Sequence, residues 1–129
     1  MRLSLRSEYA LLSLIHLARH TDSKSSVRAI AVSQHIPAEA LIEILSALTH
    51  AKYLQSTING YKLAKSADKI PVVEIIRLFD GALAPLEPVS EKGYQPAPME
   101  KEEKLTDLFS QLQDQIIGKL ENTSLADLI

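Results

Sequence analysis

One stretch constrains this chain more than any other: Ser26 to Ala64, SVRAIAVSQHIPAEALIEILSALTHAKYLQSTINGYKLA. An apolar-periodic segment from Val27 to His35 breaks at Ile36-Pro37. A longer one follows from Ala38 to Ala51, opened by a proline whose missing N–H is unneeded at a helix start. Leu41, Ile44, Leu45, Leu48 and Ala51 recur at helical spacing and predict one buried stripe. Two short strand-like runs, residues 53–57 and 61–64, then flank Asn59-Gly60, both of which tolerate positive φ. Helix, tight turn, helix and small hairpin outline a winged helix-turn-helix. The expected fold class is therefore mostly α, with the hairpin as wing or as a plain stabilising element.

In such a module the second helix turns its outer face to the major groove of DNA. Here that face would present Ala38, Glu39, Ile42, Glu43, Ser46, Thr49 and His50. No Lys or Arg occurs between Arg28 and Lys52, and the two carboxylates oppose phosphate. Glutamate can still accept from cytosine N4, and isoleucine can touch a thymine methyl. Glu39, Ile42, Glu43, Ser46, Thr49 and His50 thus stand as groove contacts. Arg2, Arg6, Ser26, Arg28, Lys52 and Lys62 stand as phosphate contacts. Arg2 and Arg6 lie just ahead of a first helix expected over Ser7 to His20, so they either reach phosphate or are solvated terminal charges.

The first helix is apolar almost all round, through Tyr9, Leu11, Leu12, Leu14, Ile15, Leu17 and Ala18, and predicts burial on more than one side. It contains Ser13 and His16 and leads into Arg19 and His20 with no small-residue cleavage site, so it reads as a core helix rather than a signal peptide. No apolar run approaches the roughly 20 residues that cross a bilayer, and a cytoplasmic protein without a membrane partner is expected. His16 and His20, four apart, could share a metal or simply pack; no third ligand is obvious, and no metal is expected. The chain has no cysteine, which removes disulfides, thiolate nucleophiles and thiolate-held metal together. With no glycine-rich phosphate loop and no acid–base constellation, an enzyme is not expected. Glu102 and Glu103 read as a solvated helix face.

Beyond the hairpin, Pro71 opens a helix from Val72 to Asp80, with Val73, Ile76 and Phe79 as its stripe and Gly81 as its stop. Residues 82–99 hold four prolines and a glycine and read as a loop. Residues 100–122 form the longest expected helix. Its stripe of Leu105, Leu108, Phe109, Leu112, Ile116 and Leu120 has little of its own domain left to cover it, so a partner subunit is the expected cover. Ser124 caps a final turn. Three regions follow: a DNA-binding unit over 1–81, a loop over 82–99, and a dimerisation helix with its turn over 100–129. Charge divides the same way. Residues 1–66 hold eight Lys/Arg against four Asp/Glu, and residues 67–129 hold six against twelve. That asymmetry either joins a nucleic-acid module to an assembly module or is uneven surface charge.

The opening MRLSLRSEYALLSL, the segments VRAIA and GYKLA, DKIPVVEIIRLFDG followed by APLEPV, and the closing LENTSLADLI resemble the Rrf-two family of bacterial winged-helix transcriptional regulators, the IscR, NsrR and CymR type. The resemblance runs nearly end to end. It implies a homodimer held by a long C-terminal helix and bound to a palindromic double-stranded DNA operator. Many members hold an iron–sulfur cluster through three loop cysteines, some with an acidic ligand where Glu8 stands. Without thiols this chain resembles the cluster-free branch, with no cofactor. The family wing usually carries an Arg within a run of glycines, which Ile58-Asn59-Gly60 lacks. The family's recognition helix commonly has Tyr and polar groups where this chain has Ala40 and Ile42, and basic residues where it has Ala47 and Thr49. The alternative reading is a winged-helix interaction or ligand-sensing protein with weakened DNA binding, answering to an unknown small-molecule or protein effector.

Overall fold

The first helix of the chain, α1 (Leu5–Arg19), lies at the centre of the fold in the computed structural model, which describes residues 3–81 and 98–129. It begins two residues before the expected start, because the Ser4 hydroxyl accepts from Ser7 N–H at 3.1 Å and caps it there. Ala10, Leu14, Leu17 and Ala18 are buried, while Tyr9, Leu11, Leu12 and Ile15 pack around them half-buried. The helix is thus covered on more than one side, as expected, while Leu5, Arg6, Glu8 and Arg19 stay exposed.

Ser26 caps α2 (Val27–Gln34) by accepting from Ala29 N–H at 3.1 Å. The helix ends on His35 in the left-handed region, φ 56, with Ile36 N–H returning to the Ala31 carbonyl. Ile36 is buried by this turn, and Pro37 then stands as the N-cap of α3 (Ala38–His50), one position outside the helix. Leu41, Ile44, Leu45 and Leu48 form the buried stripe, and Ala51 ends half-buried at the C-cap. Lys52 is left-handed at φ 69, so Tyr53 N–H reaches back to the Leu48 carbonyl at 3.0 Å.

The hairpin pairs β1 (Leu54–Thr57) with β2 (Gly60–Leu63) in antiparallel register, Leu54 opposite Leu63 and Thr57 opposite Gly60. Its two loop residues are Ile58 and Asn59, not Asn59 and Gly60 as the sequence suggested, and only Gly60 has positive φ, at 126. The reason is a third strand segment absent from the sequence reading. Ser25 pairs with Tyr61 on the free edge of β2, through N–H···O bonds of 3.0 and 2.8 Å. A Cβ on Gly60 would lie 2.4 Å from the Ser25 carbonyl oxygen, so glycine is fixed by packing as well as by φ.

After a 3-10 turn (Ala67–Lys69), α4 (Val72–Asp80) faces two ways. Ile75 joins the main core, while Val72, Val73 and Ile76 form a second cluster with Leu3, Leu11 and Leu120. Phe79, expected in the buried stripe, is half-buried against the main core. A 3-10 turn (Pro98–Lys101) precedes α5 (Glu103–Glu121). The chain then clasps α4: Val72 N–H bonds Thr123 O at 2.9 Å, and Leu125 N–H bonds Ile70 O at 2.8 Å. In the closing 3-10 turn (Leu125–Leu128), capped by Ser124 with Asp127, Leu125 is 1% exposed in the main core. No described helix is long and apolar enough to cross a membrane.

Candidate nucleic-acid interface

Folding places the α3 stripe inward and leaves Glu39, Ile42, Glu43, Ser46 and His50 exposed on the opposite side. Ile42 is 56% exposed. Thr49 differs from its expected role: it is half-buried, and its hydroxyl donates to the Leu45 carbonyl of its own helix at 2.7 Å. What remains for a ligand there is its methyl group and an oxygen lone pair.

Among the expected phosphate contacts, Arg28, Lys52 and Lys62 are exposed on α2, after α3 and on β2. Ser26 caps α2 and keeps its own hydroxyl hydrogen available. Arg2 lies outside the described residues. Arg6 is not ahead of α1 but within its first turn. Its guanidinium donates to Glu43 Oε1 at 3.0 Å and lies over the Phe79 ring, 5.4 Å from the centroid. An expected phosphate contact and an expected base contact therefore hold each other across 37 positions of sequence. Local periodicity carries no trace of such a pair. Burial would raise the nearby Asp80 carboxyl, but hydrogen bonding from Ser4 and the Arg6 charge outweigh it and hold the group below its usual value.

Two features at the wing base have no counterpart in the sequence reading. Lys65 lies over the Tyr53 ring, 4.9 Å from its centroid. The Tyr53 hydroxyl donates to Glu74 at 2.7 Å, and burial together with that carboxylate pushes the phenol up to about 12. It is therefore a fixed donor that ties the end of α3 to α4. Beside the wing tip, Lys24 lines a shallow cleft with Asn59 and Lys62.

His16 is 6% exposed, with Nδ1 and Nε2 each 3.2 Å from a serine oxygen, Ser33 on α2 and Ser25 on the edge segment. The His20 ring stacks on it at 4.3 Å and donates through Nδ1 to the His16 carbonyl. Both nitrogens of His16 thus serve packing between elements. Burial, and then the His20 charge, hold its pKa below the ordinary histidine value.

On α5 none of the residues is buried. Leu105, Leu108, Leu112 and Ile116 are 41%, 51%, 44% and 37% exposed and share one side. Phe109 is half-buried. Leu120 belongs instead to the intrachain cluster with Val72, Val73 and Ile76.

Residues 3–129 match the model of the Rrf2 family, described as iron-dependent transcriptional regulators. The chain is 28% identical over 132 residues to the HTH-type transcriptional regulator CymR of Bacillus subtilis (strain 168), covering 99% of this chain and 89% of that one. It is 33% identical over 91 residues to the protein rrf2 of Nitratidesulfovibrio vulgaris, covering 67% of this chain and 61% of that one. Among solved structures, that of B. subtilis CymR superposes with a TM-score of 0.81 at 25% identity, covering 99% of this chain and 95% of the other. Staphylococcus aureus CymR gives 0.77 at 25%, over 97% and 95%. The family's iron does not fit the donors here: the whole chain has no cysteine, and no three His, Asp or Glu of the described residues gather at one point. The chain belongs to the Rrf2 family, as a transcriptional regulator without the cysteines of an iron–sulfur site.

Proposed function

We propose that this regulator acts in the cytoplasm as a homodimer that binds a palindromic double-stranded DNA operator, repressing by occupancy. The observation that carries the reading is the exposed α3 face, in a winged-helix unit that also exposes Arg28 on α2, Lys52 in the turn after α3 and Lys62 on β2. The α5 stripe of Leu105, Leu108, Leu112 and Ile116, with Phe109 beside it, is the surface offered to the second subunit. Two copies would then present two recognition helices to half-sites about one helical turn apart. Arg2, Arg28, Lys52 and Lys62 supply the phosphate contacts, with the Ser26 hydroxyl as a neutral one. Glu39, Ile42, Glu43, Ser46 and His50, and the methyl of Thr49, face the bases.

Gel-shift titrations at several salt concentrations, on a selected pool of duplexes, test this. Each neutralised phosphate adds about 0.9 to the slope of log K against log salt, so a dimer using most of its four cations per subunit should show about −4 to −7. The absence of Lys and Arg from α3 favours a second reading, a winged-helix dimer that works through a protein or small-molecule effector. Failure to retain any duplex even at low salt would select it.

A further inference from the structure

The α3 face holds two carboxylates, and only one of them has a cation beside it among the described residues. Glu39 forms no ion pair there, whereas Glu43 accepts from Arg6 at 3.0 Å. Both side chains of that pair stay open to solvent, 53% and 73% exposed, and a lone pair so exposed holds its geometry poorly. This one has a second anchor. The Arg6 guanidinium rests over Phe79, which packs half-buried on the main core, and Arg6 itself is fixed in the first turn of α1. The cation is thus aimed from two rigid helices at a third.

We infer that Arg6 is a positioning residue for DNA readout: it holds the Glu43 carboxylate so that the oxygen it does not occupy accepts from a cytosine amino group in the major groove. The inference rests on the DNA-binding reading above. A carboxylate has about four acceptor sites, and Arg6 is recorded on Oε1 alone, so Oε2 keeps its lone pairs. In the major groove only cytosine offers a donor with no acceptor beside it. Guanine shows N7 and O6, thymine O4, and adenine sets N7 next to its amino group. Phosphate repulsion opposes a bare glutamate in the groove and weakens any contact it makes there. The Arg6 charge offsets that repulsion without placing a cation against the bases. The sequence expectation gave Arg6 to phosphate, and the two roles differ in a measurable way.

The test is duplex selection and salt titration with the intact protein, its Arg6→Ala and Glu43→Gln variants, and the double variant. These side chains are exposed, so each variant should fold. The wild type should prefer cytosine at one position per half-site, and Glu43→Gln should lose that preference by about five-fold or more. Arg6→Ala should weaken the same preference at the same position and leave the salt slope unchanged, and the double variant should be no worse than Glu43→Gln. A slope reduced by about 2 per dimer in Arg6→Ala, with cytosine preference intact, would make Arg6 a phosphate contact and overturn the inference. So would a wild type whose selected sites show no cytosine dependence on Glu43. A wild type that binds no duplex overturns the DNA-binding reading as well, which separates the two failures.

Discussion

His16 illustrates how one buried side chain can tie three elements together while constraining the conditions under which they stay together. Its ring spans Ser33 and Ser25, and Ser25 in turn pairs with Tyr61 at the root of the wing. Burial holds its folded-state pKa below 6.5, the value to which the unfolded chain returns. Between those two values the unfolded chain binds the extra proton. Stability is therefore fully present above the ordinary histidine range and falls as pH drops through 6.5 toward the lower folded value, with no further loss beneath it. The lowered Asp80 carboxyl acts in a separate window, below 3.8, where its protonation removes stability in turn. Urea midpoints measured at about pH 7.5 and about pH 5.5 should fall with pH for the wild type. In a His16→Gln variant, which keeps a donor and an acceptor between the two serines, the fall should be smaller. An equal fall in both proteins would place the proton elsewhere.

The wing makes the same point about what a sequence can and cannot announce. Its existence was legible in Asn59-Gly60 between two short strand-like runs, but the turn was displaced by one residue because the deciding contact comes from Ser25, far back in the chain. Gly60 is needed twice over, for φ of 126 and for the 2.4 Å that a Cβ would leave to the Ser25 carbonyl. Gly60→Ala should therefore destabilise the protein by about 2 kcal/mol or more, since neither backbone can retreat without breaking the Ser25–Tyr61 bridge. Chemical denaturation measures this, and a loss under about 0.5 kcal/mol, the range of ordinary surface changes, would show that the bridge yields freely. Helices were readable to within a few residues because period and caps are local: Ser26, Pro71 and Ser124 mark starts wherever the rest of the chain goes. Missed were the pairings made across long separations. Arg6 with Glu43, Tyr53 with Glu74, and the Thr123–Leu125 clasp on Ile70 and Val72 leave no periodic signal. The candidate interface suffers most from this, since Arg6 and Glu43 take up each other's bonding from different elements, while the Thr49 hydroxyl is taken up within α3 itself.

On the proposed reading, charge and apolar surface divide the molecule between a side for DNA and a side for a second copy. Residues 67–129 carry twelve of the sixteen acidic groups, and Glu102, Glu103, Asp107, Asp114 and Glu121 lie on or beside α5. That end of the molecule is repelled by a phosphate backbone, which leaves α3 and the wing as the approach. The α5 stripe from Leu105 to Ile116 runs about 16 Å along the helix, and its four large side chains remain well exposed in the single chain. Replacing Leu108 and Leu112 together by Asp should leave the fold intact, because neither is buried without a partner, yet should place unpaired charge in any dimer seam. Sedimentation should move from dimer for the wild type to monomer for this variant. The same change reaches DNA binding through mass action and charge. A monomer holds one recognition helix and half the cations, so its salt slope should fall to about half the wild-type value, about −2 to −4, with much weaker retention of a palindromic site. The two measurements check each other. A variant that still sediments as a dimer would remove the α5 stripe from the interface. A monomeric variant that kept the full slope and affinity would instead show that one subunit is sufficient for the operator.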